Sequence, residues 1–320
     1  MGLPISVNLM PQSHIKETVA LAKLAEKLGY KRCWIYDEGL HTRDVYVTLS
    51  CVALSTKHIL LGPGITNSYT RHPGTTAAAI ASLDELSNGR AFIGLGAGGG
   101  LTLDPFGIKR SNPITTVSDT VFALRELFSG QRVDLRSKEF SLQSALLSYG
   151  RSDIEIFLAG RGPKMTRLGA DVADGFYLSY IHKDFLLEHI TTLRKAAVRQ
   201  PYRIIYSTMI VSSAEEFDEA RCALSFRLVD SPIEVKERIG MNEKDTDLIR
   251  QALLDGGPKM AAKFVQKEWV EQFVIVGTLK EAAAELKKLM EDYDIDEFQL
   301  PVGQSKDQKK LIERTSKMFV

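Results

Sequence analysis

Residues 58–86 read HILLGPGITNSYTRHPGTTAAAIASLDEL, and three kinds of segment meet in them. HILL has the short apolar character of a buried strand. GPGITNSYTRHPG leaves it through two glycines and a proline, then presents Thr66, Asn67, Ser68, Tyr69, Thr70, Arg71 and His72 in a row. From residue 75 to 86 the apolar positions take helical spacing. A strand, a polar loop with unusual backbone freedom and a helix, in that order, form one unit of a repeating αβ fold.

Working outward, the unit recurs. PISVNL precedes a helical pattern over 15–28, KRCWIY one over 45–54, AFIGLG one over 116–127, and IEIFLA one over 164–172. GFYLS precedes 184–198 and YRIIYSTMIV precedes 215–228, while EFQLPV supplies a last strand after a helix that starts beyond Thr278. Gly29 marks a helix stop, and Ser213 with Glu216 and Thr278 with Glu281 have capping-box spacing. Strand-helix alternation on this scale predicts an α/β protein, a single (β/α)8 TIM barrel whose first strand pairs with its last. Residues 131–153 and 231–268 break the repeat and read as insertions in connecting loops.

Composition narrows the function classes. The chain has 320 residues, 44% of them hydrophobic, with 41 basic against 40 acidic residues and a formal net charge of +1. Such balance marks no nucleic-acid surface and no anionic-membrane surface, which leaves a small-molecule partner. Cys33, Cys51 and Cys222 have no CxxC spacing, the start of the chain lacks a secretion signal, and no apolar run reaches membrane-helix length, so a reduced, cytoplasmic protein is expected. The six histidines show no HExxH or similar spacing, and no protein-held metal is expected.

Barrel enzymes place chemistry at the carboxyl ends of their strands. That selects Asn8, Asp37 and Glu38, Gly64 to Asn67, Gly96 to Gly100, Gly160 to Met165, and Ser179 with Tyr180. GLGAGGG (94–100) satisfies GxGxxG, yet Pro105 and Pro113 in LTLDPFGIKRSNP are expected to delay any helix, against a dinucleotide turn. The glycines instead suit a flat ring or phosphate lying on bare backbone. AGRGPKMTRLGADVADG (159–175) leads directly into a helix with Pro163 near its first position, a phosphate site or an ordinary glycine-rich connection. Asp37 and Glu38 are adjacent and should point to opposite sides. Arg43 and Asp44 are expected to pair at the next helix start. His41 and His72 are proton carriers or structural histidines.

RDVYVTLSCVALSTKHILLGPGITNSYTRHP, AAIASLDELSNGRAFIGLGAG and AGRGPKMTRLGADVADGFYLS together resemble the bacterial-luciferase-like superfamily, nearest to its coenzyme F420-dependent methylenetetrahydromethanopterin reductases. The resemblance implies a luciferase-like barrel that binds F420, with FMN as the alternative cofactor. It implies a non-prolyl cis peptide at Gly64–Ile65 forming a bulge behind the ring, with Thr66 and Asn67 at its polar edge and Asp37 near its hydroxyl end. Gly96, Ala97 and Gly98 would lie close to the cofactor, and Gly160, Gly162, Pro163, Lys164 and Met165 would hold its phosphate. Two departures stand out: Glu38 replaces a histidine found in several relatives, and Asn8 replaces an acid at the end of the first strand. GAGGG also lacks the acid of the reductases' GPGD. The implied activity is hydride transfer between F420 and a small organic substrate, with Glu38 the first and His41 the second candidate for the proton. The alternatives are an FMN-dependent monooxygenase and a flavin-binding relative without catalysis. Relatives pair as homodimers through the helices after the second and third strands, and the face Ala77, Ala78, Ile80, Ala81 and Leu83 would suit either that contact or barrel packing.

Overall fold

The structure, a computed structural model, describes residues 3–303 and 305–318. From the start of the chain, strands alternate with helices: β1 (Ile5–Leu9), α1 (Ile15–Lys27), β2 (Arg32–Ile35), α2 (Val45–Ser55), β3 (Leu60–Pro63), β4 (Thr66–Asn67), α3 (Pro73–Leu86) and β5 (Ile93–Gly96). The short α4 (Gly100–Leu103) precedes α5 (Pro113–Phe128) and the antiparallel hairpin of β6 (Val133–Arg136) with β7 (Ser141–Ala145). Alternation resumes with β8 (Ile156–Ala159), α6 (Pro163–Val172), β9 (Gly175–Ser179), α7 (Lys183–Ala196) and β10 (Arg203–Ser207). Then come β11 (Ile210–Val211), α8 (Ala214–Val229), α9 (Ile233–Arg238), α10 (Glu243–Ala261), α11 (Lys267–Glu271) and β12 (Ile275–Val276). The chain ends with α12 (Leu279–Asp292), β13 (Glu297–Pro301) and α13 (Gln308–Ser316).

The main sheet runs β3-β2-β1-β13-β10-β9-β8-β5-β4, and all its pairings are parallel. β3 and β4 are halves of one strand, and both lie against the β5 segment: Leu61 bridges Ala91, while Thr66 and Asn67 pair with Leu95 and Gly96. Nine strands, two of them sharing one position, therefore close a barrel of eight positions. β1 pairs with β13, so the first strand meets the last.

Alternation along each strand divides the residues between two layers. Cys33, Ile35, Ile156, Leu158, Phe176, Leu178, Phe298 and Leu300 join the core between sheet and helices. Trp34, Phe92, Phe157, Tyr177 and Ile205 pack together in a second cluster, inside the barrel. Trp34 is its centre, with its ring centroid 4.4 Å from that of Phe92 and stacked at 5.6 Å on Tyr177. At the amino-terminal end of the strands, fully buried Arg32 pairs with Glu297 and, at 2.6 Å, with Glu155, which also binds Arg203.

α8 follows β10 in the chain, as the sequence pattern leads one to expect, but it is not the barrel's covering helix there. Its buried Ala220, Ala223, Leu224 and Leu228 pack with Ile249, Ala252, Trp269 and Val270 in a separate core. The helix whose buried residues, Ala282, Leu286 and Met290, join the barrel core is α12. The helical unit beside the barrel thus begins at α8, ahead of residue 231. The apolar face of α3, with Ala77, Ile80, Ala81 and Leu83 buried, is used by barrel packing.

Candidate active site

The carboxyl ends of the strands open onto a mouth whose floor is Ile65. This half-buried side chain packs on the aromatic cluster inside the barrel. The Gly64–Ile65 peptide is cis, and Asn8 donates from Nδ2 to the Gly64 carbonyl at 2.7 Å. Glycine is required around this side chain. A Cβ on Gly64 would stand 2.5 Å from Trp34 Cβ, and one on Gly96 would stand 2.6 Å from Ile65 Cδ1. The bare face of Gly96 is therefore filled by Ile65.

Asp37 and Glu38 follow β2 and diverge, as neighbours on an extended segment must. Asp37 Oδ2 accepts from Thr66 Oγ1 at 2.6 Å, and Glu38 Oε2 accepts from Thr102 Oγ1 at 2.7 Å. Burial pushes both carboxyls above their ordinary values; hydrogen bonds from Thr66 and Thr102 pull the other way, and the positive charge of Arg227 also lowers Glu38. His41 lies in the 3-10 turn Gly39–His41 and is exposed. Asn67 commits its Oδ1 to the amides of Tyr69 and Thr70, both at 2.9 Å, and so shapes the loop. His72 caps α3 by accepting from the Gly74 amide. Asp44 caps α2 and pairs with Arg71, not with its neighbour Arg43.

Thr102 stands on α4, where the two prolines were expected to delay any helix. One turn fits before Pro105 because Thr102 and Leu103 are buried and hold it down. The long helix begins only at Pro113. Ala97 is half-buried and Gly98 takes a φ of +70°.

At the start of α6, Gly162 is the N-cap residue and supplies no side-chain cap, with Pro163 in the first turn. The amides of Met165 and Thr166 bond to the Gly162 carbonyl, whereas that of Lys164 has no protein partner. A Cβ on Gly162 would meet nothing within 4 Å, so the space before this turn is open. Met165 folds back under Gly160, where a Cβ would stand 2.4 Å from its Cγ, and is buried. Arg161 turns the other way and donates from Nη1 to the Arg227 carbonyl of α8 at 3.2 Å. The Arg227 guanidinium lies 4.0 Å over the ring of Tyr180, which follows β9 and has a φ of +51°. Thr102 and Arg227 were not singled out from sequence, and Arg161 entered only as part of the stretch Gly160 to Met165, with no role given to it. Among the described residues, no three His, Cys, Asp or Glu side chains converge as metal ligands, and no helix is long and apolar enough to cross a membrane.

A closed parallel barrel with half-buried acids and an open helix start at its carboxyl-terminal face has the architecture of a barrel enzyme. The family model described as luciferase-like monooxygenase matches residues 4–296, and the chain belongs to that family. The 5,10-methylenetetrahydromethanopterin reductase of Methanolobus tindarius is 31% identical over 319 residues, covering 95% of this chain and 96% of that protein. The reductase of the same name from Archaeoglobus fulgidus is 32% identical, covering 90% of each chain. The structure of the coenzyme F420-dependent tetrahydromethanopterin reductase of Methanopyrus kandleri superposes with a TM-score of 0.86 at 25% identity, over 100% of this chain and 99% of that one.

Proposed function

We infer that this protein is an F420-dependent oxidoreductase of the methylenetetrahydromethanopterin reductase type, transferring a hydride between the deazaflavin and a small organic substrate. The observation that carries the reading is full-length similarity to reductases of that name. Ile65 offers an apolar floor, Asp37 with Thr66 a polar edge, and the free Lys164 amide at the start of α6 a phosphate contact. When bound, the deazaflavin supplies a carbon that accepts or donates hydride.

The chain's own residues do the rest. Ile65 would support the ring, and Asn8, which donates to the Gly64 carbonyl, would hold the peptide behind it. Glu38, raised by burial and held by Thr102, keeps a proton at higher pH than an exposed glutamate and is the acid or base for the substrate. His41 stands exposed in the 3-10 turn that follows Glu38 and is the second candidate for the proton. Two exposed apolar residues on α2, Val47 at 54% and Leu54 at 73%, support a homodimer through that helix. Three unpaired cysteines agree with a reduced, cytoplasmic setting.

Titration of the purified protein with F420 and with FMN, read by cofactor fluorescence, tests the assignment. Quenching of F420 is expected; tight FMN binding with none of F420 would move the protein to the flavin monooxygenases of the family.

A further inference from the structure

Apart from Arg161 and Arg227, the buried and half-buried arginines of this barrel are, with one exception, neutralised by carboxylates. Arg32 holds Glu297 and Glu155, Arg125 holds Asp174, and Arg203 holds Glu155. Arg90, which meets no carboxylate, spends its guanidinium on four backbone carbonyls and the Thr56 hydroxyl. Arg161 and Arg227 depart from this rule. Among the described residues neither forms an ion pair, and each makes a single side-chain hydrogen bond, to the carbonyls of Arg227 and Ala223 respectively. Their other guanidinium nitrogens are not sealed in the protein interior.

These two cations come from different elements, the loop after β8 and the end of α8, and the second lies 4.0 Å over the ring of Tyr180 from the end of β9. Burial and the charge of Arg227 push the Arg161 guanidinium down to about 10, and Asp230 is the carboxylate that opposes the shift. Arg110, whose Nη1 donates to the Gly98 carbonyl at 2.8 Å, adds a third positive charge near Arg161. Like charges gathered in a partly dry place are unfavourable until an anion joins them. Planar guanidinium groups suit the bidentate geometry of carboxylate and phosphate oxygens.

We propose that Arg161 and Arg227 form a binding site for an anionic group of the substrate, a carboxylate or phosphate, on the side of the mouth where Glu38 sits. The charge of Arg227 bears on Glu38, Tyr36 and Tyr180, so the anion held there lies beside the group that handles the proton. The cofactor's own phosphate would take the open first turn of α6. Tyr180 fixes the plane of the Arg227 guanidinium and so the direction from which the anion enters. The site rests on the functional reading above in one respect, that its ligand is the partner in hydride transfer.

Inorganic phosphate is the probe, measured by calorimetry on the full chain, free and saturated with F420. Phosphate should bind the F420-saturated protein, Arg227→Gln should weaken it about tenfold or more, and Arg227→Lys should recover only part of the affinity, since lysine keeps the charge and loses the planar fork. Arg161→Gln, which leaves α8 untouched, should weaken it in the same direction. F420 affinity in Arg227→Gln should stay within about twofold of the parent, since loss of a contact not made to the cofactor costs it nothing. Undiminished phosphate binding in both Gln variants would overturn the site. So would competition between phosphate and F420, or a tenfold loss of F420 affinity in Arg227→Gln with unchanged affinity for the phosphate-free deazaflavin riboside: either assigns the arginines to the cofactor's tail. Should the parent fail to bind F420 while Arg227→Gln still abolishes phosphate binding, the redox reading falls and the anion site stands.

Discussion

Glu38 shows how one position couples stability to function. Its carboxyl is raised by burial, so the folded protein holds that proton more tightly than the unfolded chain does. The contribution to stability is fully present below the unfolded value and is lost as pH rises through the folded one. Glu38→Gln should therefore melt higher than the parent above neutral pH, and the advantage should fade as pH falls toward the usual glutamate range, measured by calorimetry across pH. The same substitution should lower turnover by about two orders of magnitude, the usual weight of a positioned acid or base, with F420 affinity kept. Unchanged turnover would remove Glu38 from the chemistry. The divergence of Asp37 and Glu38 was legible because adjacent residues on an extended chain face apart. Their partners were not equally legible: Thr66 lay in the loop already suspected, whereas Thr102 is brought over by a turn of helix that only packing holds.

Helix starts follow local chemistry and were largely readable. Thr278 and Glu281 form the reciprocal capping box their spacing predicts. Ser213 accepts the Glu216 amide, but the Glu216 carboxylate reaches back to Ser212 instead, binding its amide at 2.7 Å and its hydroxyl at 2.8 Å. Asp44 carries more than a cap: besides accepting the Tyr46 and Val47 amides at 2.9 and 3.0 Å, it binds Arg71, which lies 4.6 Å over the Tyr46 ring. Asp44→Ala should cost about 1 kcal/mol in urea denaturation, and Asp44→Asn, which keeps the cap, should recover most of it. Equal losses in the two variants would shift the weight to the Arg71 pair, which is too exposed to be worth much. α8 was placed correctly as a helix and wrongly as a barrel helix, because an apolar stripe says that a face is buried without saying against what.

Across the whole molecule, the barrel is closed at one end by charge and left open at the other for function. Arg32 and Glu297 are each 1% exposed, and they join β2 to β13 beneath the aromatic cluster, with the guanidinium 5.2 Å from the Phe157 ring. Removing one partner strands the other's charge, so Arg32→Met should destabilise by about 3–5 kcal/mol in chemical denaturation, with a milder effect when Glu297→Met is added. A double variant no better than the single would show that the pairing is not what the residues provide. The outward face of α2 belongs to this scale too. Val47→Lys with Leu54→Lys should leave the fold intact and convert a dimer to a monomer in sedimentation, since charge at an apolar contact opposes association; an unchanged mass would place any interface elsewhere.

The alternation of barrel strands and helices, the pairing of first strand with last, the acids after β2 and the helix start at Pro163 followed from the amino-acid order alone. They depend on interactions within a few residues: side-chain period, caps, and the backbone limits of glycine and proline. Tertiary structure alone decided that Ile65 fills the face of Gly96, that α12 rather than α8 joins the barrel core, that Arg161 reaches Arg227 and that Thr102 reaches Glu38. Those contacts join residues far apart in the chain, and which surfaces meet depends on how the closed barrel places every loop at once.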